Sequence, residues 1–321
     1  MFSLGACGSS PELPPSPEPA SSPAPAEPPA GTVIGLGGMP EGAVVDPDTG
    51  VLAVALREPP ALALVDPANG RIRRRITLPG AARHLQLVRP GGPVLVPAED
   101  ADRLVEVELP RGRTKSVPVG RQPHDAAETA GRILVGDELG DTVSVVEHGR
   151  VIRTLAAPVH PGGLAVPAPG LLGVVAVKER KLALYDARRL VELARVNAGV
   201  GPTHAVGDGR GRLFVVDTQG DALLVYVTRP RLAFESRTHV AGTPYGIAID
   251  RRRERLYVTT TSTNRVVELA LQGRRPPIAV DTYPSVRQPN TLAVDPRSGR
   301  VLVLGRARGE LQLVMPRRRA L

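Results

Sequence analysis

Tryptophan is absent from this 321-residue chain, and it holds only three phenylalanines and five tyrosines. The core must therefore be packed with Val, Leu, Ile and Ala, and few platforms exist on which single-stranded nucleic-acid bases could stack. The one cysteine, Cys7, excludes an internal disulfide. No stretch approaches the roughly 20 apolar residues of a membrane-spanning helix. Also missing are a His-Glu-x-x-His pair, a Walker loop and a nucleophile elbow, which removes those routes to catalysis. Lysine occurs only at Lys115, Lys178 and Lys181, so the formal net charge of +9 is carried by arginine.

What the chain has in quantity is glycine and proline, 34 of each, and they recur in order. An opening motif aligns at Pro40, Ala82, Pro123, Pro161, Pro202, Pro244 and Pro289, at spacings of 38 to 45 residues. About ten residues later comes a turn, as in Asp46-Pro47-Asp48-Thr49-Gly50 and Asp295-Pro296-Arg297-Ser298-Gly299. Gly supplies the positive φ of such turns, and Asp or Pro sets the bend before it. A near-continuous apolar strand follows, such as Arg212-Leu213-Phe214-Val215-Val216, then an alternating third strand such as Thr142-Val143-Ser144-Val145-Val146, and a more polar fourth. Continuous apolar strands fit burial on both faces.

Seven repeats of this length, six of them with four strands, predict an all-β, seven-bladed β-propeller. The seventh repeat ends after its third strand, whereas Thr32-Val33-Ile34-Gly35-Leu36 belongs to no blade. Pairing that segment with Glu310–Val314 would close the last blade with the N-terminal strand and remove an exposed edge. The alternative is an open solenoid of the same repeats. The expected organisation is 1–7 as the remnant of a lipoprotein signal, 8–30 as a disordered Pro/Ala/Ser-rich linker, and 31–321 as the propeller.

Pro244-Tyr245-Gly246-Ile247-Ala248-Ile249-Asp250, Leu256-Tyr257-Val258-Thr259-Thr260 and Gly140-Asp141-Thr142-Val143-Ser144-Val145-Val146 resemble the YVTN, or YncE-like, β-propeller family. The resemblance spans about residues 31 to 321. It implies the fold and leaves activity open, because one scaffold hosts unrelated functions.

The arginine clusters Arg71–Arg75, Arg251–Arg253 and Arg317–Arg319 invite an anionic partner, but they fall on an outer strand, an inner turn and the C-terminus. That scatter and the shortage of aromatics weigh against nucleic acid and leave an anionic envelope surface or solvated charge. Leu4-Gly5-Ala6-Cys7 resembles a bacterial lipobox in which Cys7 carries the lipid. Met1-Phe2-Ser3 is too short for a signal peptide, which implies a start further upstream. The expectation is an extracytoplasmic, lipid-anchored bacterial protein and a monomer; the alternatives are a secreted protein, or a cytoplasmic one with an incidental cysteine.

In such a ring the residues after each opening motif and the loops after each second strand share one face, around the channel mouth. This places His84, His124, Asp125, His204, Tyr245 and Asn290 at a candidate ligand site, with Glu99, Asp137, Glu138 and Asp217 on adjoining loops. Imidazole and carboxylate together suit a divalent metal ion, for which His84, His124, His204, Glu99, Asp137 and Asp217 are the candidate ligands. Two function classes follow. One is a binding scaffold that presents this face to an envelope ligand or protein. The other is a metal-dependent propeller enzyme of the lyase or lactonase kind. Solvation of a polar channel is the plain alternative to both.

Overall fold

The computed structural model describes residues 13–317; Cys7, and with it the expected lipidation site, lies outside the described residues, as do Arg318 and Arg319. Among them, 28 strands form seven four-stranded sheets. Six sheets are consecutive antiparallel meanders. The seventh is built from Pro289–Val294, Val301–Gly305 and Glu310–Val314, with Thr32–Gly35 as its outer strand. Thr32 pairs with Leu313 and Gly35 with Glu310, so the ends of the chain close the ring as their strand count requires.

The core is a circle of seven apolar clusters, one between each pair of successive blades. An open array of seven blades would have six such interfaces. The extra one unites Leu52, Val54 and Leu56 of blade one with Leu302, Leu304 and Leu311 of blade seven. Side chains of a strand alternate between faces. Ala53 and Ala55, between those leucines, accordingly enter the cluster shared with blade two. This is why the second strands read as unbroken apolar runs. Full burial of each Leu or Val contributes about 1.5–3 kcal/mol.

Some of the arginines bridge neighbouring blades. Arg253 donates to the carbonyls of Pro296 and Arg297, Arg251 to Gly207, and Arg300 to Pro67 and Ala68. These guanidiniums staple the hairpin turns of neighbouring blades, so the Arg251–Arg253 cluster is in good part structural. No helix among the described residues is long and apolar enough to cross a membrane.

Candidate functional site in the central channel

Six inner strands begin at the proline of the opening motif, and in each the pairing register slips immediately after it. Proline there costs little, because it stands first on an edge strand. The slip is a bulge, which re-aims the following side chains. Blade two has Ala82 instead of proline, and its paired inner strand shrinks to Gln86–Leu87. Arg83 and His84 consequently lie outside the ladder.

The two positions after each motif line the ring. The first carries Glu41, Arg83, His124, Tyr245 and Asn290; the second carries His84, Asp125 and His204. At the second position of three other blades a Cβ would lie 2.7–2.9 Å from a carbonyl oxygen of the next blade: Gly42 against Arg83, Gly163 against Thr203, and Gly246 against Asn290. Glycine there lets the inner strands approach.

Three of the predicted histidines do meet, in an aromatic row across the channel. His84 of blade two lies 4.8 Å, centroid to centroid, from His124 and 4.6 Å from His204 of blade five. His204 in turn meets the Tyr245 ring edge-on at 4.4 Å. The His204 Nδ1–H donates to the Tyr245 carbonyl at 2.8 Å. Burial, followed by the charges of His124 and Arg83, outweighs that bond and lowers His204 to about 4. His84 is held well below the ordinary imidazole range by burial and by its two histidine neighbours. Both rings are neutral at pH 7.

His124 is the opposite case. Its Nδ1 lies 2.9 Å from Glu138 and 3.2 Å from Glu99. Burial opposes its charge, but these two carboxylates outweigh it and raise His124 to about 10. Glu138 is correspondingly held down at about 2, its ion pair with His124 overcoming burial. The same Glu99 receives Arg57 at 3.0 Å and Arg83 at 3.2 Å, and Arg57 reaches on to Glu41 at 3.4 Å. Asn290 also donates to Glu41, at 3.4 Å. A continuous charged network therefore links blades seven, one, two and three. Glu41 and Arg83 were not singled out from the sequence, although they occupy the same position after the motif as His124, Tyr245 and Asn290.

The proposed metal set does not assemble. Asp137 accepts hydrogen bonds from Gly120 N–H and from the hydroxyls of Thr142 and Ser144. Asp217 accepts from the N–H groups of Val200 and Gly201. Both carboxylates thus satisfy the backbone of the connection into their own blade, a local need that outcompetes a ligand role. Glu99 is already shared by two guanidiniums and an imidazolium. Among the described residues no group of three or more His, Cys, Asp or Glu side chains is arranged so that it could hold a metal ion. Asp125 is also occupied: its carboxylate accepts from Gln86 Nε2 at 3.0 Å, Ala126 N–H and Leu164 N–H at 2.8 Å, and burial raises it to about 6.

The channel is unequal at its two ends. A cavity of about 570 Å³ runs from His84, His204 and Asp125 down the inner strands to the hairpin turns at Pro47, Pro90 and Pro296. The other end lies under the chain's own N-terminal segment. Residues 13–29, expected as a disordered linker, contain no helix or strand, yet they are docked and not a free tether. Ser16 Oγ meets His160 Nδ1 of blade four at 3.1 Å, Glu18 acts on Arg83 and Tyr245 through its charge, and Ser22 is buried against blades six and seven. An apolar periodicity could not have signalled this contact, because it is made through backbone groups and polar side chains.

No protein-family model and no curated protein sequence matches the chain. Solved structures share its fold. Virginiamycin B lyase from Staphylococcus aureus matches with a TM-score of 0.73 at 13% identity, over 89% of this chain and 99% of that one. Hydrazine synthase from Kuenenia stuttgartiensis gives 0.72 at 13%, over 87% and 96%. A chain of the mitotic checkpoint complex gives 0.75 at 11%, over 98% of both. Similarity this remote in sequence establishes the β-propeller and nothing about activity.

Proposed function

We propose that this protein is an extracytoplasmic, membrane-tethered binding propeller of the YVTN type that holds a small ligand in its channel. The observation carrying this reading is the floor of the cavity. Among the groups there, His204 is engaged by the Tyr245 carbonyl and Asp125 by three N–H donors, whereas His84 has only ring contacts. A neutral imidazole offers a ligand one donor and one acceptor. Leu85, Leu164, Ile247 and Leu292 supply apolar wall, and Arg89, Glu128 and Arg251 stand toward the open end. The pattern of apolar walls with a few convergent polar groups suits a compact molecule with one hydrogen-bonding end.

The tether fits this orientation. Ser16 of the N-terminal segment meets His160 on the face opposite the cavity opening, an arrangement in which a lipid on Cys7 would turn the opening away from the bilayer. Fractionating cells that express the wild type and Cys7→Ser tests the anchor; equal membrane content would sink it. A thermal-shift screen of neutral and anionic small molecules, followed by calorimetry, tests the channel. A hit should bind one-to-one and lose about tenfold in affinity, roughly one hydrogen bond's worth, in His84→Leu. Unchanged binding in that variant would place the ligand elsewhere.

A further inference from the structure

The segment over the second face is held by a set of side chains that reads an extended backbone. Gln288 spans two residues of it: Nε2 donates to the Ala20 carbonyl and Oε1 accepts from Ser22 N–H, both at 2.9 Å. Ala20 N–H donates to Thr261 Oγ1 at 3.1 Å, and Arg287 Nε donates to the Ser22 carbonyl at 3.1 Å. Asn264 Nδ2 donates to the Pro23 carbonyl at 3.0 Å. Ala20 and Ser22 therefore turn both backbone groups toward the ring, and Ser21 lies between them. This is the two-residue period of a strand edge, met here by side chains instead of a neighbouring strand. Pro19 and Pro23 have no N–H to satisfy.

One side chain is read as well. Ser22 is 2% exposed and its Oγ donates to the Thr261 carbonyl at 2.5 Å. The receptor groups are also held by bonds within the ring itself. Thr261 Oγ1 donates to the Thr243 carbonyl, Asn264 Oδ1 accepts from Gln288 N–H, and Gln288 Nε2 also donates to Asn290 Oδ1. Thr261 and Asn264 are both buried. By contrast, none of the seven core clusters includes any of residues 13–29. Lifting the segment away would leave the ring's packing intact.

We infer that the rim of blades six and seven is a docking groove for an extended peptide of a partner protein, centred on a serine followed by proline, and that residues 20–23 are its resident competitor. The groove reads backbone and one small hydroxyl, features that any exposed Ser-Pro segment shares, so nothing in it is restricted to this chain. Occupation in cis acts as a threshold. A tethered copy is present at millimolar effective concentration, and a partner must exceed it. This inference does not depend on the channel ligand.

A fluorescent peptide with the sequence of residues 16–25 tests it on the full chain. Ser16→Glu with Ser22→Glu removes both Ser-Pro dipeptides that touch the face, while every strand remains. Anisotropy should saturate on this variant and be at least about tenfold weaker on the wild type. Adding Gln288→Ala, or replacing the central serine of the peptide by valine, should abolish binding. His84 stays intact throughout, so failure here leaves the channel reading standing. No binding to a Ser16→Glu, Ser22→Glu chain whose melting temperature matches the wild type would overturn the groove, as would binding indifferent to Gln288→Ala. If sedimentation instead shows a wild-type dimer that the peptide dissociates, the occupant is a second copy and the partner assignment falls.

Discussion

The imidazole of His124 stands 2.9 Å from the Glu138 carboxylate, a pair of ionised groups in blade three of which His124 is buried and Glu138 half-buried. Glu99 closes the contact from blade two. Opposite charges at this range offset the desolvation that would otherwise neutralise the ring.

The pair makes stability depend on alkaline pH. His124 is raised from an ordinary value of 6.5 to about 10 in the folded chain. A raised folded value contributes stability that is complete below about 6.5 and lost as pH rises through about 10. Urea midpoints should fall across that window in the wild type and stay flatter in His124→Gln. At pH 7 the substitution should cost about 3–5 kcal/mol, the usual loss when one partner of a buried pair is removed. Equal slopes for the two proteins would show that His124 is uncharged.

Ring closure rests on the register of Thr32 with Leu313. Removing residues 1–30 should cost the hydrogen bonds of the docked segment and of Ala30, and so lower the urea midpoint less than loss of the strand does, since the strand and Leu36 remain. Removing residues 1–37 deletes the closing strand and takes Leu36 and Ile34 out of the cluster shared by blades one and seven. The loss should be at least that of a large-to-small core substitution, about 2–5 kcal/mol. Equal midpoints for the two truncations would count against closure as a source of stability.

Asp217 should behave as a structural carboxylate. Asp217→Ala leaves the buried N–H of Gly201 and the part-buried N–H of Val200 without their acceptor, at about 1–3 kcal/mol. Calorimetry with zinc, manganese and magnesium should give no one-to-one site that a His124→Ala, His204→Ala double variant removes. A stoichiometric site lost in that variant would restore the metal reading.

Turns and strands are local chemistry, and that is why the architecture was legible before any coordinates. Proline before an inner strand, Asp and Gly at its hairpin, and apolar runs of strand length recur because each blade needs the same bends and buries the same two faces. Counting strands was enough to assign Thr32–Leu36 to the last blade. The alignment of His84, His124 and His204 after the opening motifs also anticipated that their rings meet, since equivalent positions of a ring face a common axis. Tertiary structure decided what those positions do. Which ring charges depends on carboxylates brought in from loops, so His124 is cationic while His84 and His204, a few ångströms away, are neutral. Asp137 and Asp217 were claimed by nearby backbone donors, a competition that spacing does not reveal. The docking of residues 13–29 was invisible for a related reason. Pro, Ala and Ser carry no apolar period, and what binds them is the geometry of Gln288, Thr261, Asn264 and Arg287, which only the closed ring sets side by side.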